Sequence, residues 1–333
     1  MPIPRVDLPS SIIGNFDYRK HFGEIQPLAD ALREGEERCW QSATGRDPEP
    51  RDYVLWLGCN VLRTVNLAES IVAILEAMGV DFVALGGPAN CCGIVHYRND
   101  DFTQSAAMVR HTWRNFTAYR PKAVLTYCPS CHFHMDELQP PSFGYDTPYL
   151  HVTEFIAERL ERLNFVKPVR RKVALHAHDA QPQQKKDGEA TLKILQAIPG
   201  LEVAELRDGA DWGRHCYPVH IQQLGRERFD AMVDEMFRGA QAAGFDAIAT
   251  VYHSCYREHC AKGARYGVEL VNYVDLVTEA LGIGPFRESY KELALAGDPE
   301  AAFEALRPRA EARQVNLKKL REATQTHFPP RGK

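Results

Sequence analysis

Nine cysteines and thirteen histidines are the residues of this 333-residue chain best suited to chemistry. Five of the cysteines, Cys59, Cys91, Cys92, Cys128 and Cys131, follow the spacing C-x31-C-C-x35-C-x2-C. Thiolates are nucleophiles, redox groups and soft metal ligands. In a reducing compartment, clustered cysteines serve metals or redox centres more often than disulfides, and an odd total fits a closed disulfide framework poorly. A lone thiol is more simply a small buried hydrophobe, which is how Cys39 reads. A zinc ion or an ordinary 4Fe–4S cubane takes four ligands. Five cysteines exceed either need, so a zinc site with one spare thiol stays open beside a less usual cluster. Adjacent Cys91 and Cys92 point apart in extended backbone. Both reach one centre only if the chain turns there, which Gly86, Gly87 and Gly93 permit.

The elements that must position these thiols alternate. Residues 53–57 form an apolar run that predicts a buried strand ending at Gly58-Cys59. Helical spacing over 67–78 precedes a strand at 81–85 and the loop Gly86-Gly87-Pro88-Ala89-Asn90-Cys91-Cys92-Gly93. A helix over 101–119 leads to a strand at 123–126 and the turn Cys128-Pro129-Ser130-Cys131. Such alternation predicts βα units and a mainly parallel sheet, with all five cysteines at or just after strand C-termini, where open α/β sheets place their sites. The pattern returns as a strand at 173–176, a helix at 189–198, a strand at 201–206, a helix at 222–243 and a strand at 247–250. One polar helix is expected over 25–40. Helical stretches at 290–295 and 299–326 end the chain, the latter carrying both charge signs, as a docking element or solvated cap does.

A shift of 124 residues lays Ala123-Val124-Leu125-Thr126 on Ala247-Ile248-Ala249-Thr250, Cys92 on Cys216 and Cys131 on Cys255. One offset that aligns a strand and two cysteines predicts a duplicated domain. The fold class expected is therefore α/β: two duplicated βα domains related by a pseudo-repeat, with an N-terminal arm and a C-terminal helical tail. The boundaries are an arm at 1–50, domain 1 with the intact motif at 51–150, domain 2 with a degenerate motif at 151–283, and a tail at 284–333. At the same offset Cys91 meets His215, Cys128 meets Tyr252 and Gly93 meets Tyr217; with two residues of slippage Cys59 meets Gln181. His178, His215, Cys216, His253, Cys255, His259 and Cys260 offer mixed nitrogen and sulfur donors. A second metal site on His215, Cys216 and Cys255 is weighed against a metal-free half that completes the fold. His96 and Tyr97 follow the cysteine pair and offer a substrate contact, but polar residues in such loops more often satisfy backbone groups, and His132 and His134 read the same way.

The five-cysteine spacing resembles the cysteine-rich CCG domain family, whose best-known member is the B-type subunit of heterodisulfide reductase. The supporting strings are Gly58-Cys59, Pro88-Ala89-Asn90-Cys91-Cys92-Gly93 and Thr126-Tyr127-Cys128-Pro129-Ser130-Cys131. In the second half His178-Asp179-Ala180-Gln181 resembles the family's His-Asp-Pro-Cys, and residues 195–205 resemble the segment that comes after it in the family. The resemblance spans about residues 52–280. It implies one non-cubane 4Fe–4S cluster on Cys59, Cys91, Cys92, Cys128 and Cys131. In heterodisulfide reductase two such clusters face one disulfide, whereas the second half here lacks three of the five ligands, so the resemblance supports the cofactor more than that reaction.

The remaining sequence narrows the class. A formal net charge of −4, with 44% hydrophobic and 25% charged residues, supplies no basic stripe for nucleic acid. No apolar run reaches the roughly 18 residues that cross a bilayer, and the start has no apolar signal core, so a cytoplasmic protein is expected. There is no ferredoxin-type cysteine run, no Gly-x-Gly-x-x-Gly fingerprint and no P-loop. Electrons must then come from other chains: a ferredoxin-like two-cluster iron–sulfur subunit and a flavoprotein subunit. The expected function is an iron–sulfur oxidoreductase subunit of a heterodisulfide reductase-like complex, inactive alone, acting on thiol, disulfide or sulfur-transfer substrates, with sulfur oxidation as one setting. An electron-relay subunit of a lactate, glycolate or glycerol 3-phosphate dehydrogenase and a structural zinc protein are the alternatives.

Overall fold

The structure, a computed structural model, describes residues 17–138, 146–179, 181–205 and 224–330. Asp17 accepts the Lys20 amide and opens α1 (Tyr18–Gly23). Helix α2 (Ile25–Leu32) comes next and buries Ile25, Leu28, Ala29 and Leu32. It stops there, eight residues short of the expected end at 40. Arg33 turns extended, and its guanidinium donates to the carbonyls of Gly35 and Glu36, a local alternative that outcompetes another helical turn.

Strand β1 (Tyr53–Gly58) leads through α3 (Val65–Ala77) to β2 (Phe82–Gly86). Helices α4 (Ile94–Tyr97) and α5 (Phe102–Thr117) return the chain to β3 (Ala123–Thr126), and α6 (Pro129–Phe133) precedes the short β4 (Tyr149–His151). The sheet order is β2-β1-β3-β4, all parallel, with Trp56 opposite Thr126 in the central pair. Every residue of β3, and all but the first of β1, is buried, as expected of strands covered on both faces. The edge of β2 is not left bare: the Gln41 amide donates to Ala84, and the Gly86 amide donates to Gln41.

Helix α7 (Val152–Ala157) leads into a second sheet of β5 (Arg171–His176), β6 (Leu201–Glu205), β7 (Ala247–Thr250) and β8 (Glu269–Asn272), interleaved with α8 (Pro182–Gln196), α9 (Arg226–Ala242), α10 (His253–His259) and α11 (Tyr273–Leu281). Its order, β6-β5-β7-β8, is again all parallel and repeats the first sheet strand for strand. The expected α/β class with two mainly parallel βα sheets is thus present. Helix α8 starts seven residues earlier than expected because Pro182 occupies its first turn, where its missing N–H costs nothing. In the central pair His176 lies opposite Thr250. Since Thr126 and Thr250 correspond, Trp56 corresponds to His176.

By contacts the chain forms two units, Met1–Val65 with Val80–Val152 and Gly297–Lys333, and Asn66–Gly79 with Thr153–Ala296. The tail contains α12 (Ser289–Ala296), α13 (Pro299–Ala312) and α14 (Leu317–His327). The single stretch expected over 299–326 is two helices, because Gln314 has a positive φ of 54° and Asn316 caps the second helix through the Lys319 amide. Helices α13 and α14 bury Phe303, Leu306, Leu320 and Ala323, and Arg313 donates to the carbonyls of Asp30 and Arg33 at the end of α2. The arm and the tail's last two helices therefore pack on one another within the first unit. No helix among the described residues is long and apolar enough to cross a membrane.

Candidate metal centre

Sheet order 2-1-3-4 makes the gap between the C-terminal ends of β1 and β3 a topological switch point, where successive connections leave in opposite directions. Cys59 follows β1, Cys91 and Cys92 follow β2, and Cys128 and Cys131 follow β3. All five side chains are buried, none exposing more than 5% of its surface.

Two glycines set the geometry. Gly58 has φ +74°, and a Cβ there would lie 3.0 Å from Cys128 Cβ and 3.1 Å from Cys131 Sγ. Gly93 has φ +79°, and its Cβ would stand 2.7 Å from the Ser105 carbonyl oxygen. Gly93 turns the chain immediately after adjacent Cys91 and Cys92. The loop is pinned: Trp56 Nε1 donates to the Asn90 carbonyl at 2.7 Å, and Thr112 Oγ1 donates to the Cys91 carbonyl at 2.8 Å. Asn90 in turn donates to Gly86 and receives Asn115. Cys128 sits at the start of α6, with Pro129 in the first turn, and the amides of Cys131 and His132 close onto its carbonyl.

The thiols form one continuous chain of sulfur contacts, Cys59 to Cys91 to Cys92 to Cys131 to Cys128. Cys59 Sγ lies 3.7 Å from Cys91 Sγ, and the Gly93 amide donates to Cys91 Sγ at 3.4 Å. The hydrogen bond with Cys91, then burial, pushes the Cys59 thiol well up. At Cys91 the Cys59 thiol favours the ionised form, but the bond to Cys92 and burial outweigh it and the net shift is upward. Burial and the neighbouring Cys128 and Cys92 raise Cys131. Burial opposes ionisation of Cys92 too, yet bonds from Cys131 and Cys91 bring it down to about 6. One thiolate is thus accommodated by its neighbours, whereas further buried negative charge needs a cation among the sulfurs. The donor set suits a soft, multiply charged centre.

The histidines nearby have ordinary partners. His134 Nε2 lies 3.1 Å from Ser105 Oγ, and burial with the Arg98 charge lowers its pKa to about 4, leaving a neutral ring. His132 Nδ1 pairs with Thr126 Oγ1 at 2.8 Å, and His96 pairs with Asp101 and stacks on Tyr18. Tyr97 packs its ring against Phe102 and His134. Cys39 is half-buried.

In the second half, His215 and Cys216 lie outside the described residues. Cys255 is described, and the residues gathered around it are His176 and His178, their donor atoms and its Sγ all within 4.8 Å of one another. Sequence reasoning singled out His178 and missed His176, the last residue of an apolar strand. His253, His259 and Cys260 are buried but are not members of that cluster, and burial pushes Cys260 up to about 12.

Residues 53–136 match the family of CCG cysteine-rich domains. Over this segment the chain is similar to CCG cysteine-rich domains. It is 22% identical over 295 residues to the D-type subunit of dihydromethanophenazine:CoB–CoM heterodisulfide reductase from Methanosarcina barkeri (strain Fusaro / DSM 804), covering 84% of this chain and 72% of that one. It is 22% identical over 170 residues to the Bacillus subtilis (strain 168) protein named "Probable iron-sulfur-binding oxidoreductase FadF", covering 50% of this chain and 24% of that one. Among solved structures, a hypothetical protein from Helicobacter pylori superposes with a TM-score of 0.50 at 11% identity, over 81% of this chain and 55% of that one. That likeness concerns the fold alone. The CCG match spans β1 to just beyond α6 and contains all five clustered cysteines.

Proposed function

We propose that Cys59, Cys91, Cys92, Cys128 and Cys131 hold one non-cubane 4Fe–4S cluster, and that the chain is an iron–sulfur redox subunit of a heterodisulfide reductase-like complex. The observation that carries this reading is the unbroken chain of five buried thiols at the switch point, with Gly58 keeping the space beside Cys128 and Cys131 clear. When bound, such a cluster supplies one-electron redox chemistry. The protein's part is to hold the sulfurs, exclude water and donate the Gly93 amide to Cys91 Sγ. The similarity to a heterodisulfide reductase subunit and to a protein named as an iron–sulfur-binding oxidoreductase supports the redox assignment. Substrates are thiols, disulfides or sulfur-transfer groups, and sulfur oxidation is one setting. The partners are a ferredoxin-like two-cluster iron–sulfur subunit and a flavoprotein subunit, met in the cytoplasm. The two βα sheets, with their shared strand order, derive from a duplication of residues 51–150 in 151–283.

Burial of all five thiols equally suits a relay subunit that passes electrons without touching substrate. Turnover of a disulfide by the isolated complex separates the two readings. Anaerobically purified chain should contain about four irons and show a visible band bleached by dithionite. Zinc in the first half without iron would overturn the assignment, and about eight irons would overturn the single cluster.

A further inference from the structure

The second sheet repeats the first in strand order but not in what lies at its switch point. Register equates Trp56 with His176, and the 124-residue offset equates Cys131 with Cys255; two residues beyond the matched strand ends stand Gly58 in the first half and His178 in the second. In the first half Gly58 and Cys131 leave room: a Cβ on Gly58 would already lie 3.1 Å from Cys131 Sγ. In the second half an imidazole fills the corresponding space, with His178 Nε2 3.2 Å from Cys255 Sγ. Trp56, whose indole pins the first-half loop, is replaced by His176. Its ring meets that of His178 at a centroid distance of 5.0 Å. A position kept open for a polynuclear cluster has thus become one that brings nitrogen donors to a single point.

We infer that His176, His178 and Cys255 form a mononuclear site for a zinc-class divalent ion. The three side chains expose 3%, 8% and 1% of their surfaces, so the donors face one another rather than solvent. Tetrahedral zinc with nitrogen ligands at about 2.0–2.1 Å and sulfur at about 2.3 Å sets its donors about 3.3–3.6 Å apart. The observed 3.2 Å pair and the 4.8 Å limit on the whole set bracket that range, so small side-chain rotations complete it. Two imidazoles and one thiolate carry one negative charge, which a divalent ion offsets without the burden of five thiolates. Mixed nitrogen and sulfur donors match a borderline-soft ion.

The surroundings hold the donors in place. The Tyr252 ring lies 5.1 Å from that of His178, and Tyr252 Oη donates to Asp187 Oδ2 at 2.7 Å. Asp187 is buried on α8 and also receives Gln183 and Thr153. A Cβ on Gly188 would come 3.0 Å from Ala177 Cβ, so α8 packs directly on the side chain of the residue between the two histidines. Tyr252 stands where the first half has Cys128, so a second thiol position has become part of this support.

The test measures zinc, a readout independent of the first-half cluster. Full-length chain, treated with chelator and then dialysed against zinc chloride, should retain about one zinc per chain in addition to any iron. Cys255→Ser and His178→Ala should each lower retained zinc at least about tenfold, with circular dichroism unchanged, whereas Cys260→Ala should leave it unaltered. Cobalt(II) substituted into the wild-type chain should give a tetrahedral spectrum with one thiolate charge-transfer band that disappears in Cys255→Ser; this arm needs only a folded wild type to begin. Wild-type chain that retains no zinc overturns the proposal, as does zinc retained equally by the folded Cys255→Ser and His178→Ala variants. Zinc lost only when Cys59, Cys91, Cys92, Cys128 or Cys131 is replaced also overturns it and places the ion in the first half. Iron loading that fails while zinc binding follows Cys255 overturns the cluster assignment and leaves this site standing.

Discussion

Replacing Gly58 by alanine tests whether the cradle around the thiols is as tight as its geometry requires. The backbone there has φ +74°, a conformation that costs an L-residue about 1–3 kcal/mol. The added methyl also enters a filled space, 3.0 Å from Cys128 Cβ and 3.1 Å from Cys131 Sγ. Overpacking of that kind costs a further 1–3 kcal/mol or so. Gly79 supplies the control. Its φ of +64° carries a conformational cost of the same kind, but nothing lies within 4 Å of a Cβ there. The difference between Gly58→Ala and Gly79→Ala is therefore mainly the packing cost. At about 2–4 °C per kcal/mol for units of this size, it separates their melting midpoints by about 2–12 °C. The assay is thermal melting of the metal-free chains followed by iron and sulfide reconstitution. Gly58→Ala should melt lower and take up less iron, while Gly79→Ala reconstitutes as wild type does. Equal midpoints and equal iron in the two variants would refute the idea that Gly58 keeps room for a cluster.

Three further outcomes follow from the geometry. Alanine at Cys59, Cys91, Cys92, Cys128 or Cys131 should lose or convert the visible band, whereas Cys39→Ala should leave it unchanged; any of the five with intact spectrum and iron is not a ligand. His134 is held neutral with a pKa of about 4 against about 6.5 unfolded, so its contribution to stability is complete above pH 6.5 and is lost as pH falls toward 4, by up to about 1.4 kcal/mol per pH unit. His134→Gln should flatten that acid limb in melting curves taken from pH 7 to 4, and an unchanged slope would assign the effect to other groups. Deleting residues 300–333 strips α13 and α14 from α2 and removes the Arg313 bonds to Asp30 and Arg33, so the first unit should melt several degrees lower; an unaltered midpoint would make the tail a solvated cap.

The fold was legible wherever burial on both faces writes a continuous apolar run. Residues 53–57, 123–126 and 247–250 announce themselves that way, and the helices between them follow from spacing. The edges were not legible: β4 is three residues ending in a histidine, and β8 is four residues starting with a glutamate, too short and polar to stand out. The helix expected over 25–40 failed because Arg33 found carbonyl partners nearby, a side-chain choice that periodicity does not encode. The tail's division at Gln314 is likewise a matter of one left-handed residue and one cap.

The two halves differ in the same way at their sites. Five thiols at fixed spacing could be grouped from the sequence because cysteine is rare and its uses are few. The order in which they touch could not, since it depends on Gly93 turning one loop and Gly58 making way for another. In the second half the deciding residue was His176, which closes the apolar strand Val173-Ala174-Leu175 and so looks like a core position. Its relation to Cys255, 79 residues on, exists only through the pairing of β5 with β7. Sequence alignment placed Gln181 opposite Cys59 and made the second half look like a site that had lost its ligands. The pairing of β5 with β7 brings His176 and His178 beside the retained Cys255, and a half that seemed vestigial acquires a ligand set of its own.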